Sequence, residues 1–311
     1  MKFSILISAI ALLLLTAACV NKKEKSDHKD TLTIGVMSSM DYLPIAVAHK
    51  NGYFTNQELE VVIQKFYSPN DRDAALQSNN LDGTILDYTG GAIQLSGGIP
   101  LHFTSQCDGT FELMVNENSG ITSIADLQGK KIAISRNTVI DFCTDLALKK
   151  AGLTEKDVEL IEINKIPLRL EMLDNAKIDA TMLPDPFATI AKGAGNGSII
   201  SMSDLNVRVT GMAFLQKTID DKSEALRKFY RAYDQAVEEI NSKGPEELRE
   251  ILTKELGFPD ESVALVTLPK FGRAQLPQPS DLQAVQTWLN EKGLVKSDFD
   301  IHHLVADGFT P

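Results

Sequence analysis

The sequence is poor in cysteine and in net positive charge, and each shortage removes a class of protein. Three cysteines in 311 residues are too few for a disulfide-stapled scaffold. The 42 acidic side chains outnumber the 31 basic ones and leave a formal net charge of -11. This charge argues against a nucleic-acid partner and against a basic face that adheres to anionic lipid. The hydrophobic fraction of 43% is still large enough to build buried cores.

The sequence also lacks the short motifs of common enzyme classes. It contains no Gly-x-Ser-x-Gly elbow, no Walker-type phosphate loop, no His-Glu-x-x-His helix and no Cys-x-x-Cys pair. Its five histidines are scattered along the chain and do not show metal-ligand spacing. We therefore expect no catalytic residues, no cofactor and no metal site.

A long apolar run occurs only at the N-terminus. Lys2 precedes an apolar stretch at 5–15, and Leu15-Thr16-Ala17-Ala18-Cys19 follows it. The stretch is too short for a permanent membrane-spanning helix, which favours an export signal. It resembles a bacterial lipoprotein signal, which implies a signal peptide at 1–18 and lipidation of Cys19. An ordinary secretory signal without lipid is the alternative.

The body of the chain alternates strand-like and helical segments after a polar stretch at 19–30, which we interpret as a flexible tether. Strands are predicted at 32–36, 60–66, 83–87, 131–134, 158–163 and 178–182, and helices at 43–50, 70–78, 139–151 and 168–175. This order predicts two similar α/β units, each with a parallel sheet flanked by helices. The final third is predicted to form helices at 224–241, 245–256 and 279–292, with Trp288 in a core.

Several motifs resemble, in order and spacing, one family of transport proteins. They lie at 33–35, 44–48, 52–54, 59–61, 75–76, 81–83, 119–121, 126–133, 149–153, 178–180, 184–187, 281–283 and 288–289. The chain is similar to substrate-binding proteins of ABC importers for nitrate, sulfonates, taurine and the thiamine pyrimidine precursor. The resemblance implies an α/β, two-lobed periplasmic-binding-protein type II fold. In this fold each lobe is a mainly parallel sheet flanked by helices, and two chain segments form the hinge.

The resemblance also implies where the lobes begin and end. We expect lobe 1 to contain residues 31–114 and 213–311 and lobe 2 to contain residues 115–212, with hinge segments near 114–116 and 209–212. Cys107 and Cys143 then lie in opposite lobes, where a disulfide would fix the hinge shut. We therefore expect two separate, buried thiols.

Ligands of open α/β sheets bind beyond the carboxyl ends of the strands, so the polar loops after the strands are the candidate site. The candidate ligand-binding residues are Ser38, Ser39, Asp41, Tyr42, Asp87, Tyr88, Thr89, Asp108, Arg136, Asn137, Thr138, Asp141 and Asp185. Ser38, Ser39 and Thr138 precede helices, where they could hold an anion or merely cap the helix. Arg136 is the one cation expected in the crevice.

Five of these candidates are aspartates, one in each loop, and they favour a ligand that carries hydrogen-bond donors. An aminopyrimidine that stacks on Tyr42, Tyr88 or Phe187 would satisfy them, and so would a zwitterion such as taurine. Asp185 stands where the family commonly has glutamate before Pro-Phe, which shortens its reach.

We therefore predict the extracytoplasmic, lipid-anchored solute-binding component of an ABC importer, a monomer that is not an enzyme. It would capture an aminopyrimidine-like or sulfonate-like nutrient between two closing lobes and pass it to a permease with a cytoplasmic ATPase. A ligand-sensing lipoprotein that signals to a membrane receptor is the alternative.

Overall fold

The computed structural model describes residues 30–311. The predicted signal peptide, Cys19 and all of the predicted tether except Asp30 lie outside the described residues. Asp30 is already the first residue of a strand. Within residues 30–311, every helix is too short or too polar to span a bilayer.

Ten strands form two five-stranded sheets in this part of the chain. The strands are β1 Asp30–Met37, β2 Leu59–Phe66, β3 Gly83–Asp87, β4 Leu101–Gln106, β5 Phe111–Val115, β6 Lys131–Ile134, β7 Glu159–Glu162, β8 Ala180–Pro184, β9 Gly197–Ser201 and β10 Thr210–Leu215. The first sheet has the order β2-β1-β3-β10-β4 and the second the order β7-β6-β8-β5-β9. In each sheet the first three strands are parallel, whereas β10 and β5 run antiparallel to both of their neighbours. The predicted two-lobed α/β fold is confirmed.

Helices flank both sheets. They are α1 Leu43–Lys50, α2 Tyr53–Asn56, α3 Pro69–Gln77, α4 Tyr88–Ser96, α5 Val139–Lys150, α6 Ile166–Asp174, α7 Phe187–Gly193, α8 Gln216–Asp221, α9 Ser223–Asn241, α10 Arg249–Ile251 and α11 Pro279–Lys292. A π-helical turn, Leu252–Leu256, extends α10. The strands and helices predicted from periodicity are present with ends shifted by a residue or two, with one exception. The helix predicted at 245–256 is instead a 3-10 turn, Pro245–Leu248, followed by the three-residue α10 and the π-helical turn.

The chain crosses between the sheets in two segments, which we call the crossing segments. Residues 107–110 connect β4 to β5, and residues 202–209 connect β9 to β10. Because β5 pairs with β8 and β9, the boundary expected at residue 114 falls inside a strand of the second sheet. The expected end of lobe 2 at residue 212 likewise falls inside a strand, β10 of the first sheet. The first crossing segment contacts the start of β10, where the Cys107 N–H donates to the carbonyl oxygen of Thr210 at 2.9 Å.

An apolar core continues from one sheet to the other. Phe103 on β4 and Leu113 on β5 belong to the same buried cluster. Trp288 on α11 is 3% exposed and packs edge-on against Phe142 on α5, with ring centroids 5.6 Å apart. Its indole N–H donates to Asp145 at 2.8 Å. The prediction that Trp288 is a core residue is therefore confirmed, and its contacts connect the two halves of the molecule.

Both described cysteines are free and buried, as predicted. Burial raises the pKa of the Cys107 and Cys143 thiols well above the usual value, because a thiolate would be desolvated there. Neither is therefore an activated nucleophile.

Candidate functional site

A cavity lies between the two sheets, at the carboxyl ends of β1, β3 and β8 and beside the start of α5. It is lined by Met37, Ser39, Asp41, Pro69, Arg72, Ile85, Leu86, Asp87, Phe111, Thr138, Val139, Ile140, Ile166, Arg169, Pro184 and Thr210. Its volume of about 50 Å³ is room for a compact group. This is the position that the strand-end rule predicts for a ligand.

Four of the predicted site residues line this cavity: Ser39, Asp41, Asp87 and Thr138. Thr138 is the N-cap of α5, and its hydroxyl accepts a hydrogen bond from the Ile140 N–H at 3.2 Å. Ser39 precedes a short 3-10 turn but makes no side-chain cap hydrogen bond. Its hydroxyl is therefore better placed than that of Thr138 to meet a ligand.

Asp41 connects the loop after β1 to the first crossing segment and to the start of β10. It is 3% exposed, and its carboxylate accepts hydrogen bonds from the Gly109 N–H and from the Thr210 hydroxyl, the latter at 3.1 Å. Burial raises the pKa of Asp41 to about 6, although these two hydrogen bonds lower it; the nearby Asp108 charge raises it further. The Asp41 side chain, which the sequence predicted to bind ligand, thus forms hydrogen bonds at the junction of the two sheets.

Asp87 is the N-cap of α4. Its carboxylate accepts from the Gly90 N–H at 2.7 Å and from the Thr89 hydroxyl. It also lies 3.5 Å from the guanidinium of Arg72, which is itself 2.8 Å from Asp73. Arg72 is 4% exposed, so this buried cation is compensated by two carboxylates. Asp87 therefore already has several partners within the protein.

The predicted aromatic candidates lie outside the cavity lining. Tyr42 is buried and donates to Glu255 at 3.2 Å. Tyr88 is fully buried and packs edge-on against Phe103, with ring centroids 5.0 Å apart. Phe187 packs against a separate apolar cluster. The only aromatic ring that borders the cavity among residues 30–311 is that of Phe111.

The remaining candidates are also elsewhere. Ser38 is half-buried on the loop beside Ser39, and Thr89 is buried against Asp87. Asp108 lies 3.1 Å from Arg208 and accepts from the Gly272 N–H at 2.8 Å. Asp185 accepts from both the N–H and the hydroxyl of Thr189, at 3.0 and 2.8 Å. The structure therefore does not bring the five aspartates together.

The polar candidates in the loop before α5, Arg136 and Asn137, do not line the cavity. Arg136 is exposed and lies 3.7 Å from Glu162, so it is not the crevice cation that the sequence suggested. Asn137 is exposed with a positive φ of 60°, and its N–H donates to Asp141 at 2.9 Å. Asp141 is buried on α5, next to Asp145 and Glu155 and not in the cavity lining.

Asp141, Asp145 and Glu155 form a small acidic cluster whose oxygens lie within 4.8 Å of one another. The Lys292 ammonium lies 2.9 Å from Asp145 and also contacts Glu155. A protein cation therefore already compensates this cluster, and it offers no cation site.

Arg169, on α6, lines the cavity and was missed by the sequence analysis. It is 1% exposed, and only Nη1 has a partner, the Ile163 carbonyl oxygen at 2.9 Å. Nε and Nη2 are buried and have no hydrogen-bond partner in the described part of the chain. Burial lowers the pKa of the guanidinium to about 10. The missed signal was an arginine between two leucines, with no acidic residue three or four positions away to pair with it.

Comparison with known proteins adds an independent observation. Residues 39–247 match the family model described as NMT1/THI5 like. A Bacillus subtilis protein named for aliphatic sulfonate binding is 24% identical over 242 residues, 73% of this chain and 72% of that protein. A Haemophilus influenzae protein named for thiamine biosynthesis is 29% identical over 126 residues, which is 40% of each chain. The chain thus spans less than half of the latter relative.

Among solved structures, a ligand-binding component of an ABC-type import system from Staphylococcus aureus, with zinc bound, has a similar fold. The TM-score is 0.78 at 13% identity, over 89% of this chain and 97% of the other. At this identity the similarity establishes the fold alone.

Proposed function

This chain belongs to the NMT1/THI5-like family, and from that membership and the cavity between its sheets we propose that it is the substrate-binding component of an ABC importer. The observation that carries the proposal is that both halves of the protein line the cavity. Each sheet contributes strand ends to the lining, and so do the helices that flank it. A solute held there contacts both halves of the protein at once. Its binding energy can therefore favour the closed arrangement that a permease recognises.

The cavity favours capture of a solute over chemical turnover. The residues that line it within the described chain include no histidine, cysteine, lysine or tyrosine. Both carboxylates of the lining already accept hydrogen bonds from the protein. A general base and an activated nucleophile would need to be free and adjacent. We therefore propose that the solute leaves unchanged.

We further propose that the protein works outside the cytoplasm as a monomer, anchored through lipid on Cys19 and delivering solute to a permease with a cytoplasmic ATPase. The support is the lipoprotein-like signal in the sequence and the polar stretch after it. A Cys19→Ser variant should move from the membrane fraction to the soluble fraction, as quantitative immunoblotting would measure. Ser26→Ala, in the same stretch, is the matched control and should stay with the membrane. Retention of both variants would contradict the anchor.

The first test is a binding screen on the full-length chain in detergent micelles. Its probes are the thiamine pyrimidine precursor, taurine, propanesulfonate, butyrate and nitrate. A ligand at 100 times its dissociation constant should stabilise the protein by about 2.7 kcal/mol, which raises Tm by a few degrees. The emission of Trp288, the only tryptophan in the chain, should change as well, because its ring packs between the two halves.

Two results would count against this function. Recovery of a chemically altered probe would indicate an enzyme. Stabilisation with no change in Trp288 emission would place the ligand away from the junction of the two halves.

A further inference from the structure

Two guanidinium groups line the cavity, and their environments differ. Arg72 lies 2.8 Å from Asp73 and 3.5 Å from Asp87, so its charge is compensated. Arg169 forms no ion pair with any residue in 30–311, and a backbone carbonyl is its only acceptor. The lining therefore contains one buried cation without a counter-ion.

A buried charge without a partner is destabilising, and it is uncommon unless it serves a ligand. The guanidinium keeps its proton at neutral pH even though burial lowers its pKa, because about 10 is still well above 7. The protein without solute therefore carries a buried positive charge that no carboxylate in residues 30–311 neutralises.

The two unpartnered nitrogens are Nε and Nη2. Together they form the side edge of the guanidinium, from which two parallel N–H groups can donate to two oxygens of one acidic group. Nη1, which is not part of that edge, is occupied by Ile163. The free edge has the geometry that a carboxylate or a sulfonate fits.

The rest of the lining restricts the remainder of the ligand. Most of it is apolar: Met37, Pro69, Ile85, Leu86, Phe111, Val139, Ile140, Ile166 and Pro184. Asp41 and Asp87 are engaged with protein donors, so neither offers an uncommitted carboxylate to a cationic group. A volume of about 50 Å³ admits only a compact body.

We propose that the solute is a compact organic monoanion, whose carboxylate or sulfonate group binds side-on to Nε and Nη2 of Arg169 while a short apolar body fills the cavity. The inference rests on the proposed function and narrows the ligand class. It moves the expected anion contact from Arg136 to Arg169. Of the two ligand types expected from the sequence, it disfavours the aminopyrimidine and keeps the acidic, sulfonate-like one.

The test compares isosteric probes on the full-length chain in micelles by titration calorimetry. Butyrate and propanesulfonate are the anions, and butyramide has the shape of butyrate without its charge. At least one anion should bind 100-fold or more tightly than butyramide. Which anion binds tighter distinguishes a carboxylate site from a sulfonate site.

Variants assign the effect to one side chain. Arg169→Gln should weaken binding of the anion at least 100-fold and leave the butyramide affinity nearly unchanged, whereas Arg136→Gln removes the same charge outside the lining and should have no effect. Arg169→Lys keeps the charge but loses the two-pronged geometry, so a loss of about tenfold is expected.

A stability readout separates recognition from a structural role. Arg169→Met keeps much of the side-chain volume and removes the unpaired charge. Its Tm without probe should equal or exceed that of the wild type, and the Tm increase caused by the anion should disappear. A structural arginine would behave in the opposite way, with a lower Tm in the methionine variant.

The outcomes are decisive in each direction. Equal affinity for butyrate, propanesulfonate and butyramide, or loss of anion binding in Arg136→Gln but not in Arg169→Gln, overturns the inference. Binding of a neutral probe that changes Trp288 emission and is unaffected by Arg169→Gln overturns the inference and leaves the proposed function intact. Failure of every probe in both screens overturns both.

Discussion

Replacement of Asp87 by alanine should lower the free energy of unfolding by about 3–5 kcal/mol, the usual effect of breaking a buried ion pair. The carboxylate is 3% exposed and accepts from the Gly90 N–H, from the Thr89 hydroxyl and from Arg72. Alanine would leave α4 without its N-cap side chain, and Asp73 would be the only carboxylate left to compensate the charge of Arg72. Urea unfolding at pH 7, followed by circular dichroism, measures the loss.

Two further variants interpret that result. Asp87→Asn keeps an oxygen that can cap α4 and loses the charge, so its stability should fall between those of the wild type and Asp87→Ala. Asp221→Ala removes an exposed carboxylate from α8, where its ion pair with Lys217 at 3.6 Å contributes little, and should change stability by less than about 1 kcal/mol. If Asp87→Ala kept full stability and lost only solute binding, Asp87 would be the direct ligand contact that the sequence suggested.

The helices and strands could be predicted because most of them have a clear pattern of buried positions. The helices at 43–50 and 279–292 have the predicted bounds. The polar loop predicted after β3 is instead the first turn of α4, although Gly90 and Gly91 are both poor helix formers. The structure explains Gly91: a Cβ there would lie 2.6 Å from the Phe103 ring, so glycine is needed for α4 to pack closely on β4. Tertiary packing overrides local preference at this position.

The loops of the site could be predicted, but the partners of their side chains could not. Strand ends place Ser39, Asp41 and Asp87 at the cavity whatever their roles. Asp41 has its hydroxyl partner, Thr210, 169 residues away, and Asp108 has its cation 100 residues away. Such partners depend on the assembled topology. A carboxylate that looks available in the sequence can therefore be fully engaged in the fold.

The protein should lose stability as the pH rises through about 6, because of Asp41. Burial raises the pKa of this carboxyl from its ordinary value of 3.8 to about 6, so the folded state holds the proton more tightly than the unfolded state. Its stabilising contribution is therefore complete below pH 4 and is lost as the pH rises through 6. At 1.36 kcal/mol for each pKa unit, the full loss is about 3 kcal/mol.

Asp41→Asn isolates this contribution, because asparagine cannot ionise and its amide oxygen can still accept from the Gly109 N–H. The stability of the variant relative to the wild type should rise by about 2–3 kcal/mol between pH 4 and pH 8, as urea unfolding at a series of pH values would measure. Asp220→Asn, which makes the same substitution at an exposed position on α8, is the matched control. A constant difference for Asp41→Asn would mean that the hydrogen bonds from Gly109 and Thr210 offset burial completely. In that case Asp41 titrates at its ordinary pKa, and the junction of the two sheets contains a negative charge at neutral pH.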